Sequence, residues 1–242
     1  PFAYSASVLP VLLGSVLAWD AGFPFSWVRF ALALAGVVCF HTAANLINDC
    51  FDFSRGLDET VNPGSGAIVR GWLTVNQVYR MAMIFLAAGM ICGFVLVWLA
   101  GWIVLALGIA GTAIVMSYTR SGLCLKYAGF GDLGIFIAFG ALPVFGSFWV
   151  QAGTFAWPPL LWSVPIVLYT VGILHANNWR DIGSDSEKKC RTLANLLGDR
   201  GSRMYYRLLV FSPFLIAAAC VVAGRLAFAE MRAPLTVFMV VL

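Results

Sequence analysis

Seven long apolar stretches constrain this chain more than any other feature in it. They run roughly over residues 2–19, 27–48, 75–100, 102–118, 133–151, 160–177 and 205–228. A stretch of about 20 apolar residues is long enough to cross the hydrocarbon core of a bilayer as a helix. Lipid offers the backbone no hydrogen-bond partner, so a spanning segment must satisfy its own amides. With 61% of its 242 residues hydrophobic and 11% charged, the chain has too little polar surface to cover a soluble domain. The predicted fold class is all-α, a polytopic bundle of transmembrane helices forming one domain over residues 1–242. An eighth apolar stretch starts near Pro234 and stops at Leu242, while Pro1 leads straight into the first span. Both ends are therefore expected to be trimmed. No basic leader or small-residue cleavage pattern marks a cleavable signal.

Charge placement predicts orientation. All 15 lysines and arginines except Arg29, Arg225 and Arg232 fall in or beside three connections, 48–80, 119–132 and 178–207. These connections alternate along the chain, so they share one face, which the positive-inside rule makes cytoplasmic. The expected location is a bacterial inner membrane or its equivalent. All 11 acidic residues except Asp20 and Glu230 lie on that same face. The net charge of +4 follows from the positive-inside bias, and no nucleic-acid partner is indicated. Six scattered cysteines without CxxC spacing give no disulfide framework or zinc site. Glycines within spans (Gly14, Gly36, Gly89, Gly93, Gly108, Gly111, Gly140 and Gly146) suggest close helix packing.

Two Asn/Asp clusters stand at the ends of the second and sixth spans. They are Asn45-Leu-Ile-Asn48-Asp49-Cys-Phe-Asp52, running on to Asp58, and Asn177-Asn178-Trp-Arg180-Asp181-Ile-Gly-Ser-Asp185. Their recurrence after about 130 residues suggests an internal repeat. Asn177, Asp181 and Asp185 are spaced i, i+4, i+8, which places them along one face of a continuing helix. Asn48 and Asp52 share that spacing, with Asn45 and His41 one and two turns earlier. Asp58 lands on roughly the opposite side of a straight helix. Gly56 offers a break, so a bent or unwound segment is expected at 53–60.

Five carboxylates gathered near a bilayer repel by roughly 4 kcal/mol per close pair at an effective dielectric of 20, and so require cations. Hard oxygen donors suit Mg2+, which binds through one or two carboxylates plus substrate phosphates. Arg55, Arg70, Lys126, Arg180, Lys188, Lys189 and Arg191 stand close by in the sequence. Carboxylates with cationic side chains on a membrane face fit a metal-bridged diphosphate, and an apolar chamber behind them fits a hydrocarbon tail. Trp72, Trp149, Trp157 and Trp179 read as interfacial anchors. His41 and His175 lie in spans near the clusters, and the simpler reading of each is a hydrogen-bonded packing histidine.

These motifs resemble those of the UbiA superfamily of membrane prenyltransferases, which carries one Asn/Asp-rich motif after the second span and another after the sixth. Asn62-Pro63 through Arg70-Gly71 and the run from Ser117-Tyr118-Thr119 through Lys126-Tyr127 to Gly131-Asp132 extend the likeness. Asn177-Asn-Trp-Arg-Asp-Ile followed by Arg191-Thr-Leu-Ala is similar to the branch acting on 1,4-dihydroxy-2-naphthoate in menaquinone synthesis. The chain departs from its relatives at Gly64-Ser-Gly66 and Ser121-Gly122, and in lacking the last of about nine spans.

The resemblance implies prenyl transfer from a polyprenyl diphosphate to an aromatic acceptor. Asn48, Asp52, Asp58, Asn177, Asp181 and Asp185 would hold Mg2+. Arg70, Lys126 and Arg180 would bind phosphate oxygens, Asn45, Asp49, Arg55 and Asn178 would also bind substrate, and Tyr118, Lys126, Tyr127 and Asp132 would line the acceptor pocket. Rival acceptors are 4-hydroxybenzoate, homogentisate or a chlorophyllide-type ring, and the rival class is an ion-coupled transporter. Oligomeric state is left open.

Overall fold

The computed structural model describes residues 4–54, 66–119, 129–187 and 192–227, and every regular element among them is a helix. In chain order these are α1 (Ser5–Asp20), α2 (Trp27–Ser54), α3 (Val75–Ala100), α4 (Ile103–Thr119) and α5 (Gly131–Phe136). A π-helical turn (Ile137–Ala141) leads into α6 (Leu142–Ala152), followed by α7 (Pro158–Arg180), α8 (Ile182–Glu187) and α9 (Leu193–Ala227). Each apolar stretch of the sequence coincides with a helix or with one continuous helical run. Five are long and apolar enough to cross a membrane: α2, α3, the run Gly131–Ala152, α7 and α9; α1 and the apolar part of α4 are shorter.

Two boundaries differ from the sequence expectation. The last span begins at Leu193 rather than near Tyr205, with a kink at Gly198, whose φ of 66° and ψ of −177° interrupt the helix. Those angles are essentially restricted to glycine, so this residue permits the kink. On the other side, α2 stays helical through Ser54. The rest of the predicted bend, including Gly56 and Asp58, lies outside the described residues, as does the stretch from Pro234.

α1 and α6 pack against each other at the centre of the bundle, with the α2–α3 pair on one flank and the α7–α9 pair on the other. One core joins Leu13 and Leu17 of α1 to Val144 and Phe148 of α6, Trp162 and Ile166 of α7 and Ala217 of α9. A second joins Val11, Ala33, Leu96 and Val150 across α1, α2, α3 and α6. Large apolar side chains such as Phe94, Trp98, Phe211 and Leu215 are exposed on α3 and α9. Those faces suit lipid, where an apolar exterior carries no penalty.

Arg29, which departs from the positive-inside pattern, has a local explanation. Its guanidinium donates to Val150 O (3.1 Å) and Leu99 O (2.8 Å), carbonyls at the C-terminal ends of α6 and α3. Such carbonyls have no partner in their own helix, and a cation there also meets the negative end of the helix dipole. Gln151 bonds both the N–H and the C=O of Ser26, and Trp149 donates to Ala100 O. This end of the bundle is thus closed by polar bonds between helix termini. Trp149 is a specific link within it rather than a generic anchor.

Among the predicted packing glycines, a Cβ on Gly14 would overlap the Val144 carbonyl oxygen, and one on Gly140 would overlap Val167. Gly36 and Gly89 sit where α2 and α3 meet. Gly93 and Gly108 meet nothing within 4 Å and do not serve close packing among the described residues. Gly14→Ala is therefore expected to cost about 1–3 kcal/mol, while Gly93→Ala stays within about 0.5 kcal/mol of the parent. Unfolding in detergent, followed by circular dichroism, reads both; equal stabilities would refute the tight α1–α6 contact.

Candidate active site

The two Asn/Asp clusters sit on the C-terminal ends of α2 and α7, two helices that run in the same direction through the bundle. On α2, Asn45, Asn48, Asp49 and Asp52 belong to one uninterrupted helix. Asn45 is exposed, and Asn48 and Asp49 are half-buried. The spacing rule therefore holds here, and Asn48 and Asp52 lie one turn apart. The side chains of Asp52, Asp185 and Tyr118 lie outside the described residues, as do all of Arg55, Asp58, Lys126 and Tyr127.

On α7 the expected ladder is broken. The helix ends at Arg180, and Asp181 adopts φ −94°, ψ 10°, with its N–H bonded to Asn177 O and Trp179 O. Only then does the six-residue α8 begin, carrying Asp185. Asn177 and Asp181 remain about a turn apart, but Asp185 is not the next rung of one straight helix. Asp is a weak helix former and Gly183 a weaker one. Arg180 also engages Asp181: Nε donates to Oδ1 and Nη2 to Oδ2, both at 2.7 Å. This fork matches the planar guanidinium to a carboxylate. Asn177 is exposed and Asn178 buried, as the 100° step between adjacent helical residues requires. Arg70 is exposed and lies over the Trp72 ring, 4.7 Å from its centroid.

α8 is too short to persist by itself. It is clasped by Asn195, on the first turn of α9. Asn195 Nδ2 donates to Ile182 O (3.1 Å) and Ser186 Oγ (2.9 Å). Its Oδ1 accepts from the N–H of Thr192 (3.3 Å) and from the Thr192 hydroxyl, and Thr192 Oγ1 accepts from Asn195 N (3.3 Å). This reciprocal cap is a capping box with asparagine at its third position. A second tie joins Trp179 Nε1 to Asp199 Oδ1 at 2.9 Å. The segment holding Asp181 and Asp185 is thereby fixed to α9.

Asp132 differs from the other candidates. It is buried, 6% exposed, at the start of α5, and His175 of α7 is fully buried beside it. His41, by contrast, is hydrogen-bonded through Nδ1 to Ser7 and packed between Tyr4 and Phe139, as expected of a packing histidine. Among the described residues, no three His, Cys, Asp or Glu side chains gather closely enough to hold a metal.

Residues 7–242 match the model of the UbiA prenyltransferase family. The chain belongs to that family. A Xenopus tropicalis protein, UbiA prenyltransferase domain-containing protein 1, is 36% identical over 219 residues, covering 89% of this chain and 63% of the relative. Its Danio rerio counterpart is 35% identical over 228 residues, covering 93% of this chain and 67% of that protein. The chain thus spans a little under two thirds of the frog relative. Two archaeal structures share the fold. The apo structure of a UbiA homolog from Aeropyrum pernix K1 aligns with a TM-score of 0.71 at 20% identity, covering 97% of this chain and 85% of that one. A UbiA homolog from Archaeoglobus fulgidus, bound to DMAPP and Mg2+, aligns with a TM-score of 0.61 at 13% identity, covering 98% and 81%.

Within this UbiA-family bundle, sequence reasoning located both clusters but passed over Asn195, Tyr205 and the Trp179–Asp199 bond. Asn195 is a polar position in the run Thr192-Leu-Ala-Asn-Leu-Leu, a signal only a capping pattern reveals. Removing its two donated bonds with Asn195→Ala is expected to speed hydrogen exchange in residues 182–187 about thirtyfold, each bond contributing about 1 kcal/mol. Unchanged exchange there would show that α8 is held by other contacts.

Proposed function

We propose that this chain transfers a prenyl group from a polyprenyl diphosphate to an aromatic acceptor of the 1,4-dihydroxy-2-naphthoate class, in quinone biosynthesis. The observation that carries this reading is the pair of Asn/Asp clusters at the ends of α2 and α7, beside arginines and with an apolar bundle behind them. The acceptor class rests on the run Asn177-Asn-Trp-Arg-Asp-Ile and on Arg191-Thr-Leu-Ala after it.

The donor set fits Mg2+ chemically. Asn48, Asp52, Asp58, Asn177, Asp181 and Asp185 offer only carboxylate and amide oxygens, the hard ligands this ion prefers. When bound, Mg2+ would neutralise the departing diphosphate. Arg55, Arg70 and Lys126 supply charge-assisted bonds to phosphate oxygens. Arg180, already forked onto Asp181, holds that carboxylate in place and presents its remaining N–H groups outward. Asn45, Asp49 and Asn178 would add further polar contacts to the substrate, and Tyr118 and Lys126 would meet the acceptor. The allylic C–O bond breaks, a ring carbon of the acceptor bonds to the freed prenyl carbon, and the ring loses a proton or, for the naphthoate, carbon dioxide. The surrounding bundle keeps water from the carbocation. The lysine- and arginine-rich connections support a site that faces the cytoplasm.

Membranes containing the chain, given labelled prenyl diphosphate and Mg2+, are expected to prenylate 1,4-dihydroxy-2-naphthoate in preference to 4-hydroxybenzoate or homogentisate. EDTA is expected to abolish product formation. Turnover with none of these acceptors, together with cation-dependent solute uptake, would instead establish a transporter. Asp181→Ala is expected to lower kcat/KM at least about 100-fold, or about 2.7 kcal/mol of transition-state stabilisation. Full activity in that variant would remove Asp181 from the metal set.

A further inference from the structure

Asp132 is the one buried carboxylate among the described residues, and it lies where three helices meet. His175 of α7, 0% exposed, places Nδ1 3.5 Å from Asp132 Oδ2. Tyr205 of α9 stands edge-on to the His175 ring, with centroids 4.7 Å apart, which brings the phenol into the electrostatic reach of Asp132. Among the described residues, neither His175 nitrogen nor Asp132 Oδ2 has a hydrogen-bond partner, and the 3.5 Å approach is the polar contact they share. The neighbouring core is apolar, with Val167, Val171 and Leu209 at its centre and Ile135, Phe136 and Leu168 around them.

A buried acid and imidazole beside a half-buried phenol are costly where leucine or phenylalanine would pack. What they add is direction. Between helices in lipid, apolar side chains gain little from one rotation over another, because lipid tails are as apolar as the neighbouring helix. A polar contact has a preferred geometry. One residue of slippage along α7 would turn each side chain by about 100° and shift it by about 1.5 Å. His175 precedes Asn177 by two residues and Asp181 by six, so whatever sets its rotation also sets theirs.

We propose that Asp132, His175 and Tyr205 form a positioning unit that sets the rotation and depth of the C-terminal end of α7, and so aims Asn177 and Asp181 at the metal-bound diphosphate. The inference rests on the assignment of Asn177 and Asp181 to the diphosphate site, and it makes Asp132 a support for that site instead of an acceptor contact.

The test uses Asp132→Ala, Asp132→Asn and Tyr205→Phe in the full chain. Asn keeps the size of the side chain and an acceptor oxygen near His175, and Phe keeps the ring against His175 while losing the hydroxyl. In Asp132→Ala, the Mg2+ concentration for half-maximal activity and the KM for prenyl diphosphate are expected to rise about tenfold, with the acceptor KM within about twofold. Asp132→Asn is expected to recover most of that loss, and Tyr205→Phe to fall between the two. A second readout needs no turnover: Mg2+ plus inorganic pyrophosphate should raise the Tm of the parent and raise it less in Asp132→Ala and Tyr205→Phe. If Asp132→Ala does not fold, the other two variants carry the comparison. Unchanged Mg2+ dependence and an equal Tm rise would overturn the proposal, as would a selective rise in acceptor KM, which would make Asp132 an acceptor contact. A parent that turns over no acceptor but shows the Asp132-dependent Tm rise would refute prenyl transfer and leave the positioning unit standing.

Discussion

Hydrocarbon gives a backbone amide nothing to bond, and most of this structure follows from that fact. It makes every spanning segment a helix, and it removes the hydrophobic drive that joins helices in water. Association then depends on close approach and on the few polar groups able to bond across helices. α1 meets α6 at Gly14, where no larger residue fits. The bundle ends are joined by side chains that reach across helix termini.

The two ends use those polar groups differently. Where α3 and α6 finish, Arg29 and Gln151 satisfy backbone atoms of neighbouring segments. Their side chains serve to hold the bundle together. At the opposite end, the exposed Asn45 and Asn177 project from the ends of α2 and α7. The ties there, from Asn195 and Trp179 to their partners, join α7 and α8 to α9 and hold the segment that carries the second cluster. Rigid backing for groups that must meet a charged ligand is what a preorganised site requires.

Much of this was legible from residue order. A run of about 20 apolar residues has few alternatives to a spanning helix, so the positions of the helices followed directly. The Asn48–Asp52 spacing also held, because nothing between those residues interrupts α2. The Asn177–Asp181–Asp185 ladder did not hold, because periodicity assumes a helix that continues. Asp181 ends α7 through its backbone angles, and spacing carries no record of where a helix stops. Glycine counts were similarly ambiguous: Gly14 and Gly93 look alike in the sequence, yet one faces a carbonyl and the other faces nothing within 4 Å.

By itself, then, the sequence determined the class of fold, the helical segments and the two sets of hard oxygen donors, since each depends on composition and spacing within one segment. Only the tertiary structure decided which groups are neighbours across segments. Arg29 became a brace, Asn195 a clasp for α8, and Asp132 a buried partner of His175 and Tyr205. Those roles are set by contacts between residues from 9 to 121 positions apart, and no local period encodes such distances. A polar residue in a membrane chain announces that it needs a partner; packing chooses which one.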